Sequence, residues 1–366
     1  ENQKDCDRKG ANRFFDMYDM PPVNDTNDNN HKIKLDKLKF SCVGPYDDPS
    51  TSFFYQPIVP PYLIEYFVSM EHFADSDFNL YCVYNFPAVA LTLTKKNWHL
   101  AYDLLLYLAA DIQWKVRKTI AMFICEIATI VGREYTHKDL LPIFLGFFKD
   151  LDEVKIEALK NLPTFLSVID TNQHKKVIIN LVECLHSDND SNWRFREELG
   201  RQLLNLIKTY GTVYRVKHMI VVTGIAIYLL SDKVSAVRMV AMDAIAEKCC
   251  TATPIELKFM VEFLVEDFAR HKHWRRRQTF LYICQELICK HNSLPFEVFE
   301  TLFLPHILGL ANDKIPNIRL AVVRLLSLLL TYNSNLVSLA DHPVVTTIAS
   351  LQEDVDNDVK FLAKVR

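Results

Sequence analysis

Glycine is scarce, at 8 of 366 residues. Phosphate-cradling loops, dinucleotide folds and tight-turned sandwiches need Gly at special backbone positions, so its scarcity argues for helices. The common catalytic signatures are missing too. There is no Walker loop, no GxGxxG, no HExxH and no nucleophile elbow, and the twelve His are scattered. No strand pattern exists to hold the Asp, His and Asn set of a metallophosphatase. Charge of one sign is absent as well: the formal net charge is −3, which excludes a general nucleic-acid binder. The longest apolar run, Met219 to Leu230, is interrupted by Thr223 and Gly224. At about twelve residues it is too short to cross a bilayer and reads as a buried helix.

Nine Cys form an odd set without a framework, and Cys125 and Cys284 lie among apolar helical neighbours. They read as reduced thiols of a cytoplasmic or nuclear protein. Cys284, Cys289 and His291 are spaced as no common zinc site is. Neither a metal nor a cofactor is expected, nor a membrane or nucleic-acid partner. The chain opens on Glu, consistent with a piece of a longer protein, and shows no signal peptide.

Two regions differ. Residues 1–60 contain the polar tract Asn24-Asp25-Thr26-Asn27-Asp28-Asn29-Asn30, and seven of the fifteen prolines lie before Tyr62. The composition is that of a disordered or loosely attached segment. Its aromatic patches, Phe14-Phe15 and Phe53-Phe54-Tyr55, offer a means of docking back. Sixty residues of this kind cannot enclose a dry catalytic pocket. From residue 61 to 366 the pattern is helical and repeats.

The repeated signature is a turn, often opening with Asp, then an apolar residue followed by Arg or Lys. Clear copies run from Asp111 to Arg117, Asp190 to Arg196, Asp232 to Arg238, Asp313 to Arg319 and Asp354 to Lys360. Weaker copies, Lys149 to Lys155 and His271 to Arg277, fill the gaps. The closing basic residues stand 38, 41, 42, 39, 42 and 41 positions apart. That period is at the lower edge of the HEAT and armadillo class. Each copy launches an amphipathic helix, as in Val116, Ile120, Phe123, Ile124 and Ile127 or Ile318, Val322, Leu325, Leu326 and Leu329. A second apolar run precedes each turn. The expected fold is all-α, an α-α superhelix of about seven to eight helix–turn–helix repeats whose stacking buries one continuous core.

The turn Asp is placed to cap the second helix. The recurrent cation near a helix N-terminus needs an acid, and the Asp of a neighbouring turn would supply it. The expected ladder comprises Asp111, Arg117, Asp190, Arg196, Asp232, Arg238, Asp313, Arg319, Asp354 and Lys360.

Three of the four Trp share one signature position, each followed by a base: Trp114-Lys115, Trp193-Arg194 and Trp274-Arg275. Pro316 and Asn317 hold the corresponding place further on. Trp and Arg are enriched in interface hot spots, so these residues form a candidate partner-binding ridge; the alternative is that each Trp caps the core where helices meet. The block Arg270 to Arg277 is the one strongly basic patch. It suits an acidic surface or a phosphorylated chain, or is a solvated turn.

Read together, the turns resemble the HEAT-repeat subunits of serine/threonine protein phosphatases, both the 2A scaffold and the phosphatase 4 regulatory type. The stretches Asn97-Trp98-His99, Asp111 to Lys118, Phe148 to Lys155, Asp188 to Arg196, Asn312 to Arg319 and Asp354 to Ala363 carry the likeness, which covers roughly residues 60–366. It implies a noncatalytic subunit that holds a phosphatase catalytic subunit on its intra-repeat turns and directs substrate choice, with substrates or further regulatory subunits as additional partners. The catalytic partner would bring its own two metal ions. Trp114-Lys115 best matches the Trp-basic pair that meets the catalytic subunit in the 2A scaffold. The block at 270–277 has no clear counterpart, and Ser235-Ala236 removes the bulky group from one turn. The competing reading is a transport or adaptor solenoid of the importin type, which the near-neutral charge of residues 61–366 disfavours.

Overall fold

A computed structural model describes residues 76–187, 192–210, 217–289, 294–333, 336, 339 and 341–364. The segment 1–60 and Asp190 lie outside the described residues. Every described element is helical, and none is long and apolar enough to cross a membrane.

We number the helices α1 (Ser76–Leu93), α2 (His99–Ala109), α3 (Trp114–Tyr135), α4 (Leu141–Phe147), α5 (Asp152–Lys160), α6 (Leu162–Val168), α7 (Thr171–Ser187), α8 (Trp193–Tyr210) and α9 (Lys217–Leu229). There follow α10 (Ser235–Thr251), α11 (Pro254–Leu264), α12 (Trp274–Cys289), α13 (Phe296–Leu302), α14 (Leu304–Gly309), α15 (Pro316–Tyr332), α16 (Pro343–Leu351) and α17 (Asn357–Lys364). The helices that follow the signature turns pack in sequence, α1 on α3, α3 on α5, α5 on α8, α8 on α10, α10 on α12, α12 on α15 and α15 on α17. The helices that precede the turns form the second layer, with α9 and α16 each resting on the helix that follows it. The product is a two-layered α-α solenoid.

The stripes read from the sequence face the seam. Val116, Ile120, Ile124 and Ile127 are buried, as are Ile318, Val322, Leu325, Leu326 and Leu329. Phe123 is only half-buried and meets the ring of Tyr84 on α1 edge-on at 5.9 Å. Aromatic rings carry the core between repeats: Phe144 stacks on Phe165 with centroids 4.0 Å apart and meets Phe148 edge-on at 5.2 Å. Proline marks helix starts. Pro254, Pro316 and Pro343 open their helices, and Pro142, Pro163 and Pro305 stand second, where the missing N–H costs nothing.

Two breaks have identifiable causes. Gly132 adopts φ 80° within α3, a conformation costly for any other residue, and the Thr136 hydroxyl donates to its carbonyl at 2.9 Å. Asn161 separates α5 from α6, so the stripe Val154, Ala158, Leu162, Phe165 is divided between two helices. Its amide donates to the Ala121 carbonyl of α3 at 2.9 Å. The polar residue that interrupts the apolar pattern is thus a clamp between neighbouring repeats.

Gly200 of α8 faces α10 closely. A Cβ there would sit 2.5 Å from Val240 Cγ2. Gly200→Ala gains about 1 kcal/mol of helix propensity but meets an overpacking cost of about 1–3 kcal/mol. A net loss of up to about 2 kcal/mol is expected, to be seen as a lower Tm.

Candidate partner-binding ridge

The signature turns share one bond, spanning two residues at Asp111, Asp232, Asp313 and Asp354 and one residue at Asp150. The carboxylate of the turn Asp accepts the backbone N–H of the residue just before the following helix: Gln113 on Asp111, Leu151 on Asp150, Val234 on Asp232, Ile315 on Asp313 and Asp356 on Asp354, at 2.7–2.9 Å. This corrects the capping expectation. The Asp closes the turn and leaves the helix N–H groups alone, because α3, α10 and α15 have N-caps without a side-chain bond. Asn192 and Asp356 do cap α8 and α17.

The second carboxylate edge is gripped from the preceding repeat. Arg117 reaches Asp150 through Nε and Nη2, both at 2.6 Å. Arg196 meets Asp232 at 2.6 Å, Arg277 meets Asp313 at 2.5 Å and Arg319 meets Asp354 at 2.7 Å. Where resolved, the remaining nitrogen, Nη1, donates to carbonyls of the arginine's own turn: Asp111 and Ile112 for Arg117, His271 and Lys272 for Arg277, Asp313 for Arg319. Each such arginine therefore fastens two consecutive turns. At the N-terminal end an amide substitutes, Asn79 Nδ2 donating to Asp111 at 2.6 Å.

Two expected rungs differ. Arg238 makes no ion pair among the described residues, because the next turn carries His271 where the others carry Asp. Lys360 pairs with Glu353 of its own turn at 3.7 Å. The weaker copy's Lys155 likewise pairs locally, with Asp152 at 3.5 Å. Lysine lacks the planar fork that lets one arginine serve both a carboxylate and two carbonyls.

Two rungs shift the titration of their members, Arg117 with Asp150 and Arg319 with Asp354. Hydrogen bonding to Asp354 raises the Arg319 guanidinium, and hydrogen bonding from Arg319 holds the Asp354 carboxyl below its ordinary range. Burial alone would raise Asp150, but the bonds from Arg117 and the Leu151 N–H outweigh it and leave it lowered. Arg238 is lowered, by burial and then by nearby Arg275.

Trp114, Trp193 and Trp274 are the first residues of α3, α8 and α12. All three are half-buried against the core, with an exposed base immediately after. Arg194 lies over Trp193, 4.7 Å from its centroid, and Arg275 lies over Trp274 at 5.7 Å. Trp193 and Trp274 thus rest on the core and carry a stacked base, whereas Lys115 is simply exposed beside Trp114. The intervening turns place Asp152 and Ser235 at the same position, so the Trp-basic pairs alternate along the ridge. Pro316 and Asn317 are exposed where α15 begins. Trp98 is a core residue, 1% exposed, donating from Nε1 to Asp139 at 2.8 Å.

Exposed apolar residues follow some of the turn acids, and sequence reasoning missed them. Ile112 and Val355 are both 98% exposed and Leu151 is exposed, while Lys233, Lys272 and Lys314 hold the place in the remaining described turns. An apolar residue directly after the turn acid was the available signal. Within the basic block, Arg276 lies over the Phe268 ring at 5.5 Å, its stem on the core. Cys125 is buried and its thiol pushed up to about 12 by burial, and Cys284 is buried.

Repeated helix pairs joined by short turns and clamped turn to turn define a HEAT-type α-α solenoid. A chain of the Kap95:Nup1 complex shares this fold with a TM-score of 0.53 at 11% identity, over 83% of this chain and 40% of that one. The particular kinship comes from sequence. Residues 82–184 match the family model of the protein phosphatase 4 regulatory subunit 1 middle domain. The chain is 40% identical over 322 residues to serine/threonine-protein phosphatase 4 regulatory subunit 1 of Mus musculus and 39% identical over 322 residues to that of Homo sapiens. Each alignment covers 85% of this chain. The chain spans about a third of the length of these relatives, 33% and 34%.

Removing one arginine strands a largely buried carboxylate. For Arg319→Met, whose pair is 13% and 7% exposed, a loss of about 3 kcal/mol is expected, the lower end for a broken buried pair. The pH dependence follows from the lowered carboxyls. Their stabilisation is complete above the unfolded value of about 4 and is lost as the pH falls through the lower folded values. Arg319→Met should therefore flatten the acid limb of a plot of Tm against pH, with the difference from wild type shrinking below about pH 4.

Proposed function

We propose that this chain is a noncatalytic regulatory subunit that holds a serine/threonine protein phosphatase catalytic subunit of the phosphatase 4 type on its turn ridge and directs its substrate choice. The observation that carries the reading is the 40% identity over 322 residues to a protein named as a phosphatase 4 regulatory subunit. The geometry supports it: the ridge presents Trp-basic pairs on a rigid, clamped frame, with Lys115, Arg194 and Arg275 exposed. Anchors of this kind dominate interface energies. Pro316 and Asn317 extend the same edge. Cytoplasm or nucleus is the compartment this role requires, and phosphorylated substrates or further regulatory subunits are the additional partners. The importin-type reading has only fold likeness behind it, at 11% identity.

Pull-down of a phosphatase 4 catalytic subunit with the chain tests the ridge. Trp114→Ala, Trp193→Ala and Trp274→Ala combined should weaken capture at least about tenfold, since interface Trp residues are common hot spots. Because each Trp also rests on the core, a second variant, Lys115→Glu, Arg194→Glu and Arg275→Glu combined, changes exposed groups alone and should weaken capture with Tm nearly unchanged. Full capture by the charge-reversed variant would remove the ridge as the docking surface.

A further inference from the structure

The rung missing at Arg238 is a functional opening. Arg238 is oriented as the other ladder arginines are: its Nη1 donates to the Asp232 and Lys233 carbonyls at 2.8 and 3.0 Å. That places its Nε–Nη2 edge where Arg117, Arg277 and Arg319 grip the Asp of the next turn. At this rung the next turn holds His271. Its Nδ1 accepts the His273 N–H at 3.0 Å, taking over the turn-closing part of the Asp. The imidazole offers no carboxylate for the other part, and among the described residues Arg238 has no acid partner. Arg238 itself is half-buried.

The surroundings add positive charge. Lys272 and Arg275 stand exposed in the same turn and at the head of α12, and neither makes an ion pair among the described residues. Arg275 is close enough to depress the Arg238 guanidinium. The rest of the basic block is committed elsewhere: Arg270 to Glu266 at 2.5 Å, Arg277 to Asp313, and Arg276 to the Phe268 ring and the Asp267 carbonyl. One forked guanidinium edge, flanked by exposed Lys272 and by Arg275, which stacks on Trp274 but makes no ion pair among the described residues, suits a dianion better than a single carboxylate. A phosphoryl group carries about −1.5 to −2 charge at neutral pH and three acceptor oxygens.

We propose that the turn between α11 and α12 is a phosphate-binding site that takes a phosphorylated side chain of a partner polypeptide, gripped by the open edge of Arg238 and flanked by Lys272 and Arg275. The site stands independently of which catalytic subunit the ridge holds.

The decisive variant is His271→Asp, which supplies the missing carboxylate from within the chain. It should raise Tm and at the same time close the site. The probes are a fluorescein-labelled peptide with one phosphoserine among Gly residues, the same peptide with Glu or Ser in its place, and inorganic phosphate followed by 31P line width, all at constant ionic strength. The phosphopeptide should bind the wild-type chain, with affinity falling at least about tenfold for His271→Asp and for Arg238→Gln, and about tenfold for the Glu peptide, as a lost charge-assisted bidentate contact requires. Binding by His271→Asp equal to wild type overturns the proposal, and so does equal affinity for the Glu and phosphoserine peptides. Phosphopeptide binding too weak to detect beside a response to inorganic phosphate overturns the assignment to a partner's side chain. Arg238→Gln alone could fail by misfolding. His271→Asp adds a stabilising pair, so its loss of binding has no such explanation.

Discussion

Arg117, Arg277 and Arg319 each satisfy two demands with one planar group. The outer edge of each binds a carboxylate in the next repeat, and its remaining nitrogen binds carbonyls in its own turn. The turn on which the carboxylate sits is in turn closed by that carboxylate's other bond, to the backbone N–H ahead of the next helix. Helix packing alone leaves a stacked pair free to slide, because apolar side chains interdigitate in more than one register with modest penalty. A bidentate charged bond between defined atoms does not tolerate such a slide. The hydrophobic seam therefore supplies most of the stabilisation, as stacked repeats require, while the ladder sets how each pair of helices is offset from the next. The alignment of turns into a ridge depends on that offset.

Much of this was legible in the sequence, and the reasons differ by feature. The helices and their stacking were readable because burial imposes a 3.6-residue period and each repeat imposes it again about forty residues later. The acid–base co-occurrence within each copy pointed to the ladder. What it could not show is which part of the Asp does what: the turn-closing bond is made by the same side chain and leaves no separate trace. Asn161 looked like an interruption because sequence shows the loss of an apolar residue but not the carbonyl on α3 that its amide reaches. Trp98 and Trp114 are alike in composition of surroundings, with a base nearby, yet one is core and the other half on the surface. The difference is that Asp139, forty-one positions away, waits for the indole N–H of Trp98. Ile112 and Val355 went unnoticed because an isolated apolar residue in a turn carries no period.

Departures from the pattern are as informative as the pattern. His271 in place of Asp removes one charge from the ladder without disturbing the turn, since a ring nitrogen accepts the same backbone N–H. His342 does similar work ahead of α16, accepting the Val344 N–H through Nδ1. His342 also meets Glu300 through Nε2 at 2.9 Å, so it joins two repeats, whereas at His271 the neighbouring Arg238 lacks the carboxylate that the other turns supply.

The alternation of Trp-bearing turns has a metric meaning. Stacked helices lie about 8–10 Å apart, so turns two repeats distant are separated by roughly 20 Å along the edge. A short extended peptide of five or six residues covers barely one such interval, at about 3.3 Å per residue. Only a folded surface of protein-sized footprint touches two or three of the indoles at once. The ridge works as a ruler graduated in double repeats, and a surface matched to that graduation loses its second contact if a single repeat is inserted or removed between the marks.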